Sequence, residues 1–523
     1  MLKYIASAVL VAAFWSGPRL AVAIEVIGHT SEIRVTNVEL APDGFSRLAA
    51  VANGVHPGPL IKAHEGDRFK LNVVNKLTDP FANDTSIHWH GFFQRGTTWA
   101  DGAEGVSQCP IPTGSSFLYN FPSGGQTGTF WYHSHLGTQY CDGLRGPMVV
   151  YDKIDPYKHL YDVDDENTVI TLADWFHLQS RELALNGAGA SANSTLINGK
   201  GRYLDGPAVP LAVINVQKDK RYRFRLVSLS CDANFNFTID GHKLTVIEAD
   251  GQLVKPLVVD SIRIFAGQRY SFVLHANQSV SNYWIRAQPS TGFGRLPDTT
   301  EGGLNSAILR YAGAPDKDPN SIEVPSKLPL REPNLHPLFN PAPPGSPTFA
   351  MTLAIGFNGT KWSMNNVTWD APVKNPILLQ ILTGAANASA LLPKGSIYDI
   401  PRGATVELTV VASPVAAPHP FHLHGHAFSV VKSAESTELN YVDPVRRDVV
   451  TTGIGMNTTV IRFVADNPGP WIFHCHIEFH LREGLAVVFA EAFSDILVKN
   501  PIPQSWRDLC KAYKKAHPDF TLP

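Results

Sequence analysis

Histidine side chains are concentrated in four short clusters whose spacing could build metal sites. Two clusters are pairs at positions i and i+2, and the other two repeat this spacing with further histidines nearby. The clusters contain His88 and His90; His133 and His135; His419, His422, His424 and His426; and His474, His476 and His480. On an extended strand, residues i and i+2 point to the same face. Each pair would therefore present two imidazoles to one side, where pairs from two strands could converge on a metal ion.

The fourth cluster also contains a cysteine, Cys475, between His474 and His476. If this segment is extended, the thiolate points to one face and both neighbouring imidazoles point to the other. One thiolate with two imidazoles is the ligand set of a blue-copper electron-transfer centre. Zinc accepts the same ligand types, but it has no redox role and rarely needs so many paired histidines. A single pair or a single buried cysteine would carry little information, whereas the four clusters together favour copper chemistry.

The elements that position these clusters are predicted to be β-strands. Helical periodicity is scarce, and short apolar or alternating segments recur between Gly, Pro, Asn and Asp residues. Examples are residues 69–74, 213–216, 221–227 and 270–274. This pattern is typical of β-sandwiches or barrels. A Pro-rich stretch over 315–347 and a charged stretch over 152–165 predict domain breaks. The predicted segments of the 523-residue chain are 1–23, followed by three β domains at 24–155, 156–323 and 324–523.

The first segment, residues 1–23, has the features of a secretory signal peptide. It contains an early Lys3, an apolar run over 5–14 and the small-residue sequence 21–23. The apolar run is too short to span a bilayer, so no membrane partner is expected. Acidic residues (46) nearly balance basic ones (44), and no basic run is long enough to bind a phosphate backbone. Nucleic acid is therefore not expected as a partner.

Two further features agree with export from the cell. Asn-x-Ser/Thr sequons are dense and predict a glycosylated surface. They begin at Asn83, Asn193, Asn236, Asn277, Asn358, Asn366, Asn387 and Asn457. The cysteine count, five, is odd, and Cys475 is the odd one by its context between histidines. The other four cysteines are expected to form disulfides.

The histidine motifs resemble those of the multicopper oxidases, and within them the fungal, basidiomycete-like laccases. The resembling segments are residues 88–94 (HWHGFFQ), 131–135 (WYHSH), 419–426 (HPFHLHGH) and 474–480 (HCHIEFH), with 99–102 (WADG), 141–146 (CDGLRG) and 221–228 (RYRFRLVS). The resemblance covers nearly all of the chain after the signal peptide. It implies an all-β fold of three cupredoxin-like Greek-key domains, with a type 1 copper in the third domain and a trinuclear copper cluster between the first and third.

Carried over by motif, the resemblance implies four copper ions. The type 1 copper would be bound by His419, Cys475 and His480, and the type 2 copper by His88 and His422. The type 3 pair would take His90, His133 and His476 on one ion, and His135, His424 and His474 on the other. Leu485 would occupy the axial position of the type 1 site without ligating, and His426 would hydrogen-bond near a site or in the core. The implied disulfides are Cys109 with Cys510 and Cys141 with Cys231.

The resemblance further implies a secreted laccase that couples four one-electron oxidations of phenolic or aromatic donors to the reduction of O2 to water. Asp232 would bind the phenol beside His480 and accept its proton; the alternative is that Asp232 caps a turn. Asp101 and Glu478 would deliver protons to the trinuclear cluster; the alternative is a structural or solvated role for both carboxylates.

Other functions stay open on the sequence alone. A ferroxidase, or a bilirubin or ascorbate oxidase, would use the same copper sites with another donor. A copper-storage protein would need no electron path between two kinds of site, which argues against it. The chain is expected to act as a monomer. Lignin degradation, pigment formation and phenol detoxification are all compatible roles.

Overall fold

The structure, a computed structural model, describes residues 24–185, 191–290, 298–413 and 417–518. The predicted signal peptide, residues 1–23, lies outside these ranges. Within them, the strands form six sheets that follow the chain in three successive pairs. The expected all-β, three-domain fold is therefore confirmed. No helix in the described ranges is both long and apolar enough to cross a membrane.

The first pair of sheets precedes residue 155. Its strands are β1 (Val26–Gly28), β2 (Thr30–Leu40), β3 (Arg47–Ala52), β4 (Leu60–His64), β5 (Arg68–Asn75), β6 (Ile87–His90), β7 (Ser116–Pro122), β8 (Gly128–Ser134) and β9 (Arg145–Tyr151). The sheet orders are β1-β4-β9-β8-β6 and β3-β2-β5-β7. In β5, apolar Phe69, Leu71 and Val73 alternate with more exposed residues, which buries one face of the strand. Strand β5 contains the predicted segment 69–74.

The second pair of sheets follows. Its elements are β10 (Val169–Trp175), α1 (Ser180–Leu185), β11 (Ser194–Ile197), β12 (Val213–Val216), β13 (Arg221–Ser228), β14 (Asn234–Ile239), β15 (Leu244–Ala249), β16 (Gln252–Val259), β17 (Ile262–Ile264), β18 (Arg269–His275), β19 (Asn282–Ser290) and β20 (Ser306–Tyr311). The sheet orders are β11-β10-β13-β18-β15-β16 and β12-β20-β19-β14-β17. Strands β12, β13 and β18 contain the other predicted segments. Strands β10 and β13 have almost no exposed residue, so the charged side chains within them must be paired.

The third pair of sheets begins after the Pro-rich connection 312–348, in which no strand forms. Its strands are β21 (Phe349–Phe357), β22 (Trp362–Met364), β23 (Ile397–Ile400), β24 (Thr405–Val411), β25 (Pro420–Leu423), β26 (Phe428–Lys432), β27 (Arg446–Arg447), β28 (Val449–Thr451), β29 (Thr458–Val464), β30 (Gly469–Cys475) and β31 (Ala486–Glu491). Its helices are α2 (Ile377–Leu382), α3 (Glu478–Arg482), α4 (Ile496–Lys499) and α5 (Gln504–Ala516). The sheet orders are β22-β21-β24-β29-β26-β27 and β23-β31-β30-β25-β28.

Two disulfides tie distant parts of the chain together. Helix α5 buries Trp506, Leu509, Cys510 and Tyr513 at helical spacing. Cys510 on this helix is bonded to Cys109. Cys141 is bonded to Cys231, which joins the first pair of sheets to the second. Both pairings confirm the sequence expectation, and Cys475 is free and buried.

Candidate metal centre

Two pairs of adjacent strands bring the histidine pairs side by side. In the first domain, β6 runs antiparallel to β8 and places His88 opposite His133. In the third domain, β25 runs antiparallel to β30 and places His422 opposite His474. Because side chains alternate between the faces of a strand, each strand pair presents its imidazoles on one face.

The two strand pairs face each other, and their imidazoles meet in one buried group. The ring of His90 stacks on that of His422 with centroids 3.7 Å apart, and the ring of His88 stacks on that of His424 at 3.8 Å. We call this group the eight-histidine cluster; its members are His88, His90, His133, His135, His422, His424, His474 and His476. Each is at most 4% exposed. Three subsets have ligand atoms within 4.8 Å of one another, namely His88–His422–His424, His88–His90–His133 and His135–His424–His474.

The hydrogen bonds of the cluster leave nitrogen lone pairs directed inward. Nδ1 of His88 donates to the carbonyl oxygen of Asp101 at 2.7 Å, and Nδ1 of His422 donates to that of Asp448 at 2.9 Å. Their Nε2 atoms are buried without a hydrogen-bond partner, as are Nε2 of His133 and His135. Backbone carbonyls that fix Nδ1–H make Nε2 an acceptor. Several buried lone pairs without donors fit a bound metal cation.

Burial and mutual repulsion keep imidazoles such as those of His422 and His424 neutral. Burial first, and neighbouring imidazoles second, hold the pKa of His422 and of His424 well below the usual histidine range. Burial lowers the pKa of His476 to about 3. A neutral imidazole is the form that binds a metal. The cluster is therefore preorganised for cations.

A second, smaller site lies on the other face of β30. Cys475 Sγ lies 3.5 Å from His419 Nδ1 and 3.7 Å from His480 Nδ1, and the two nitrogens lie 3.1 Å apart. We call these three residues the cysteine site. Its surroundings are apolar: the ring of Trp362 lies 4.8 Å from that of His419 and 4.6 Å from that of His480. His480 is the most exposed of the three residues.

Backbone alternation separates the two sites as the sequence predicts. Cys475 belongs to the cysteine site, while its neighbours His474 and His476 belong to the eight-histidine cluster. Leu485 is fully buried, and its carbonyl accepts a hydrogen bond from the N–H of Cys475 at 3.1 Å. The Leu485 side chain carries no ligating atom. His426 joins neither site; its Nε2 lies 2.6 Å from Oε2 of Glu491.

The two carboxylates named for proton delivery are both buried. Oδ2 of Asp101 accepts a hydrogen bond from Nδ1 of His424 at 2.8 Å, while its Oδ1 is buried without a hydrogen bond, 3.4 Å from Nδ1 of His88. Glu478 begins helix α3 and is 3% exposed. Burial, and then the nearby Glu104, raise the pKa of Glu478 well above its usual value. Glu104 was not predicted as a site residue; burial raises its own pKa to about 7.

Asp232 is half-buried in the loop between β13 and β14. The carbonyl of its neighbour Cys231 accepts a hydrogen bond from the N–H of Glu478 at 2.9 Å, so this loop lies against helix α3, which carries His480. Burial, and then the charge of Asp174, raise the pKa of Asp232 to about 7. Asp232, the carboxyl group predicted from the sequence, therefore lies in a loop that contacts the helix carrying His480.

Sequence reasoning missed the buried charges that hold these segments in place. Asp174 accepts hydrogen bonds from the N–H groups of Cys231, Asp232 and Ala233 at 2.8–3.2 Å, and it pairs with the fully buried Arg145 at 3.0 Å. Asp448 contacts two cluster histidines, and Arg269 pairs with it. A lone charge within an apolar strand, such as Asp174 in β10, is the signal that could have identified this residue.

Comparison with known proteins agrees with this geometry. Three family models, each described as "Multicopper oxidase", match residues 34–155, 166–314 and 370–494. The chain is 57% identical over 502 residues to "Laccase-2" of Trametes villosa, with 94% of this chain and 95% of that protein covered. The chain belongs to the multicopper oxidase family. It is also 56% identical to "Laccase" of Trametes hirsuta over 504 residues, covering 94% of this chain and 95% of that protein.

This multicopper oxidase has the same fold as two solved structures of similar proteins. The laccase of Botrytis aclada superposes with a TM-score of 0.83 at 30% identity, covering 96% of this chain and 95% of that one. Fet3p, described as a multicopper oxidase that functions in iron import, superposes with a TM-score of 0.79 at 28% identity, covering 93% and 95%. The identity to curated laccases over nearly the full length shows that this multicopper oxidase is a laccase. Copper is therefore its cofactor, and O2 and small aromatic donors are its substrates.

Proposed function

We propose that this laccase is a secreted, monomeric enzyme that oxidises phenols beside His480 and uses four copper ions. One observation carries the proposal: Cys475 belongs to one buried site, and both of its chain neighbours belong to the other. The two sites are thus joined by a few covalent bonds. A binding or storage protein has no need for such a link.

The donor sets support one copper ion at the cysteine site and three in the eight-histidine cluster. His419, Cys475 and His480 would hold the first ion. Of the others, one would be held by His88 and His422, one by His90, His133 and His476, and one by His135, His424 and His474. Copper bound in these sites supplies one-electron oxidation at the thiolate site and four-electron reduction of O2 at the histidine cluster.

The phenol-binding role of Asp232 is supported by its position and its pKa. A phenol that loses an electron becomes a strong acid, so a base that takes the proton at the same time lowers the barrier. Asp232 lies in a loop that contacts helix α3, and its pKa of about 7 lets the ionised carboxylate accept a proton near neutral pH. His480 is the partly exposed residue of the cysteine site, so the donor would lie against its imidazole ring.

The proton supply for water formation would come from Glu478 and Asp101. Because burial and Glu104 raise its pKa, Glu478 holds a proton at neutral pH and can release it inward. Asp101 accepts the Nδ1 proton of His424 at Oδ2, while its Oδ1 accepts no hydrogen bond and lies 3.4 Å from Nδ1 of His88. Oδ1 can therefore accept and pass on a proton while Oδ2 keeps its hydrogen bond to His424.

Secretion is supported by the two disulfides and by accessible sequons. The exposed sequon asparagines are Asn193, Asn236, Asn277, Asn358, Asn366 and Asn387. Asn457 differs, because its Nδ2 donates to the carbonyl of Ala434 at 2.6 Å. A monomer is supported by the ligand set, since one chain supplies every residue of both sites.

A donor panel followed with an oxygen electrode tests the proposal. The purified holoenzyme should consume one O2 for every four phenol molecules oxidised, and Cys475→Ser should consume none. The panel includes ferrous iron and ascorbate, because a ferroxidase or an ascorbate oxidase would use the same copper sites. A higher kcat/KM for ferrous iron than for any phenol would contradict the phenolic assignment.

A further inference from the structure

A turn of the second domain reaches the eight-histidine cluster, although every cluster histidine belongs to the first or the third domain. The turn joins β17 to β18 and spans residues 265–268. Gly267 has φ +81°, and a Cβ atom at this position would lie 2.8 Å from Cδ2 of His476 and 3.1 Å from Cε1 of His90. Real Cβ atoms essentially never make a contact as short as 2.8 Å, and a contact of 3.1 Å is tighter than most. The backbone conformation also favours glycine. The peptide of Gly267 therefore closes one wall of the cluster.

The residue that follows this turn, Arg269, clamps a carboxylate of the third domain. Arg269 is fully buried, and it donates from Nη1 and Nη2 to both oxygens of Asp448 at 2.6 and 2.7 Å. It also donates to the carbonyl oxygens of Gly267 and Thr129, each at 3.1 Å. A bidentate guanidinium–carboxylate pair fixes the orientation of the carboxylate as well as its position.

Asp448 in turn determines which nitrogen of His90 faces the cluster. Oδ1 of Asp448 accepts a hydrogen bond from Nε2 of His90 at 3.2 Å. Nδ1 of His90 therefore faces inward, 3.3 Å from Nε2 of His476. His88 and His422 have the opposite arrangement, with Nδ1 bonded outward and Nε2 directed inward. The backbone carbonyl of Asp448 also accepts from His422, so a shift of this residue would move two cluster imidazoles.

We propose that the second domain positions the trinuclear copper cluster through this turn: Arg269 orients Asp448, Asp448 fixes His90, and Gly267 confines His90 and His476. This proposal rests on the assignment of copper to the cluster. Arg269 and Gly267 act here as positioning residues, because neither offers a metal ligand. The alternative is an ordinary buried ion pair and a tight turn that stabilise the fold without influencing the cluster.

Two matched control variants distinguish a positioning role at the copper cluster from a purely structural role. Arg225 is also a buried arginine of the second domain, and it forms a bidentate pair with Asp164 at 2.7 and 2.8 Å. Gly303 has the same φ of +81° as Gly267, and a Cβ atom there would meet Arg202 and Leu211. Arg225→Lys and Gly303→Ala therefore impose comparable losses of an ion pair and of turn geometry on residues that belong to neither copper site.

The test compares Arg269→Lys and Gly267→Ala with these controls in the full-length holoenzyme. The measurements are copper per chain after dialysis against a graded chelator series, the blue absorption of the cysteine site, and the electron paramagnetic resonance of histidine-bound copper. Removal of groups that orient metal ligands typically weakens metal binding about 10–100-fold. We expect such a loss at the histidine cluster in both variants, with an altered resonance signal and an unchanged blue absorption per chain. Both controls should retain their copper.

Three results would overturn the proposal. The first is copper retention and resonance spectra that match those of the controls. The second is a parallel loss of blue absorption and cluster copper, which would indicate general destabilisation. The third is failure of both variants to fold while both controls fold, which would make the turn a requirement of folding. If the wild-type protein itself binds no copper at the histidine cluster, the assignment of copper fails instead, so the two failures are distinguishable.

Discussion

Replacing Asp232 with Asn should slow phenol oxidation selectively and change its pH dependence. Only the ionised carboxylate can accept the phenolic proton, and a general base contributes about a hundredfold or more. A pKa of about 7 leaves about 1% of the group ionised at pH 5 and about 90% at pH 8. The wild-type to Asp232→Asn ratio of kcat/KM for a phenol should therefore be about 100 at pH 8, and it should shrink to about 2 at pH 5.

The pH profile belongs to Asp232 only if its neighbours do not titrate in the same range. The charged and titratable groups around its loop are Asp174, Arg145, Glu478 and Cys475. Burial raises the pKa of Glu478 well above its usual value, so Glu478 stays protonated as Asp232 ionises. Cys475 would be bound to copper as a thiolate in the holoenzyme and would not titrate in this range. Arg145 forms an ion pair with Asp174.

The assay measures kcat/KM from pH 5 to pH 8 for a phenol and for a one-electron donor without an acidic hydroxyl group. We divide kcat/KM for the phenol by kcat/KM for the other donor and call the result the phenol quotient. This division removes any pH dependence of O2 reduction, because both donors share that step. The wild-type quotient should rise about fivefold per pH unit between pH 5 and pH 7, and the Asp232→Asn quotient should be flat. If Asp232 only caps a turn, Asn should lower stability by at most about 1 kcal/mol and reduce both donors equally. Equal reduction, or an unchanged quotient, would refute the proton-acceptor role.

Three further perturbations follow from the structure. Asp174→Asn keeps an acceptor for the N–H of Asp232 but removes a charge that raises the pKa of Asp232. The rise in the phenol quotient should therefore move to lower pH. An unmoved midpoint in a folded variant would exclude an effect of the Asp174 charge on Asp232. Leu485→Met should lower the reduction potential of the cysteine-site copper in a redox titration, since a thioether stabilises the oxidised ion, and a rise would count against the axial assignment. Glycopeptide mapping of the secreted protein should find glycans at exposed sequons such as Asn358 and Asn366, and none at Asn457, whose amide is engaged.

The histidine sites were predictable because strand alternation is a local rule. The i, i+2 spacing of His88 and His90 and the position of Cys475 between two histidines determine the face on which each side chain lies, once the segments are strands. Strands β6, β8, β25 and β30 form at these motifs. The same rule accounts for the division of His474 and Cys475 between two sites.

The supporting residues were not predictable from local patterns. Asp448 follows two arginines, as a surface residue would, and its contacts with His90 and Arg269 join the third, first and second domains. Gly267 resembles any turn glycine until the imidazoles beside it are located. Glu104 is unremarkable in sequence, although its charge helps to raise the pKa of Glu478. These roles arise from packing between domains, which spacing along the chain does not encode.

Copper content and visible absorption of Cys475→Ser, measured on the same sample as the wild type, test the central claim most directly. The claim is that one cysteine residue joins two distinct copper sites. The wild type should contain about four copper ions per chain and absorb strongly in the visible through thiolate-to-copper charge transfer. Cys475→Ser should lose the blue absorption and all phenol oxidation, and it should retain about three copper ions in the histidine cluster. A Cys475→Ser protein that stays blue would contradict the account, and so would one that retains all four ions.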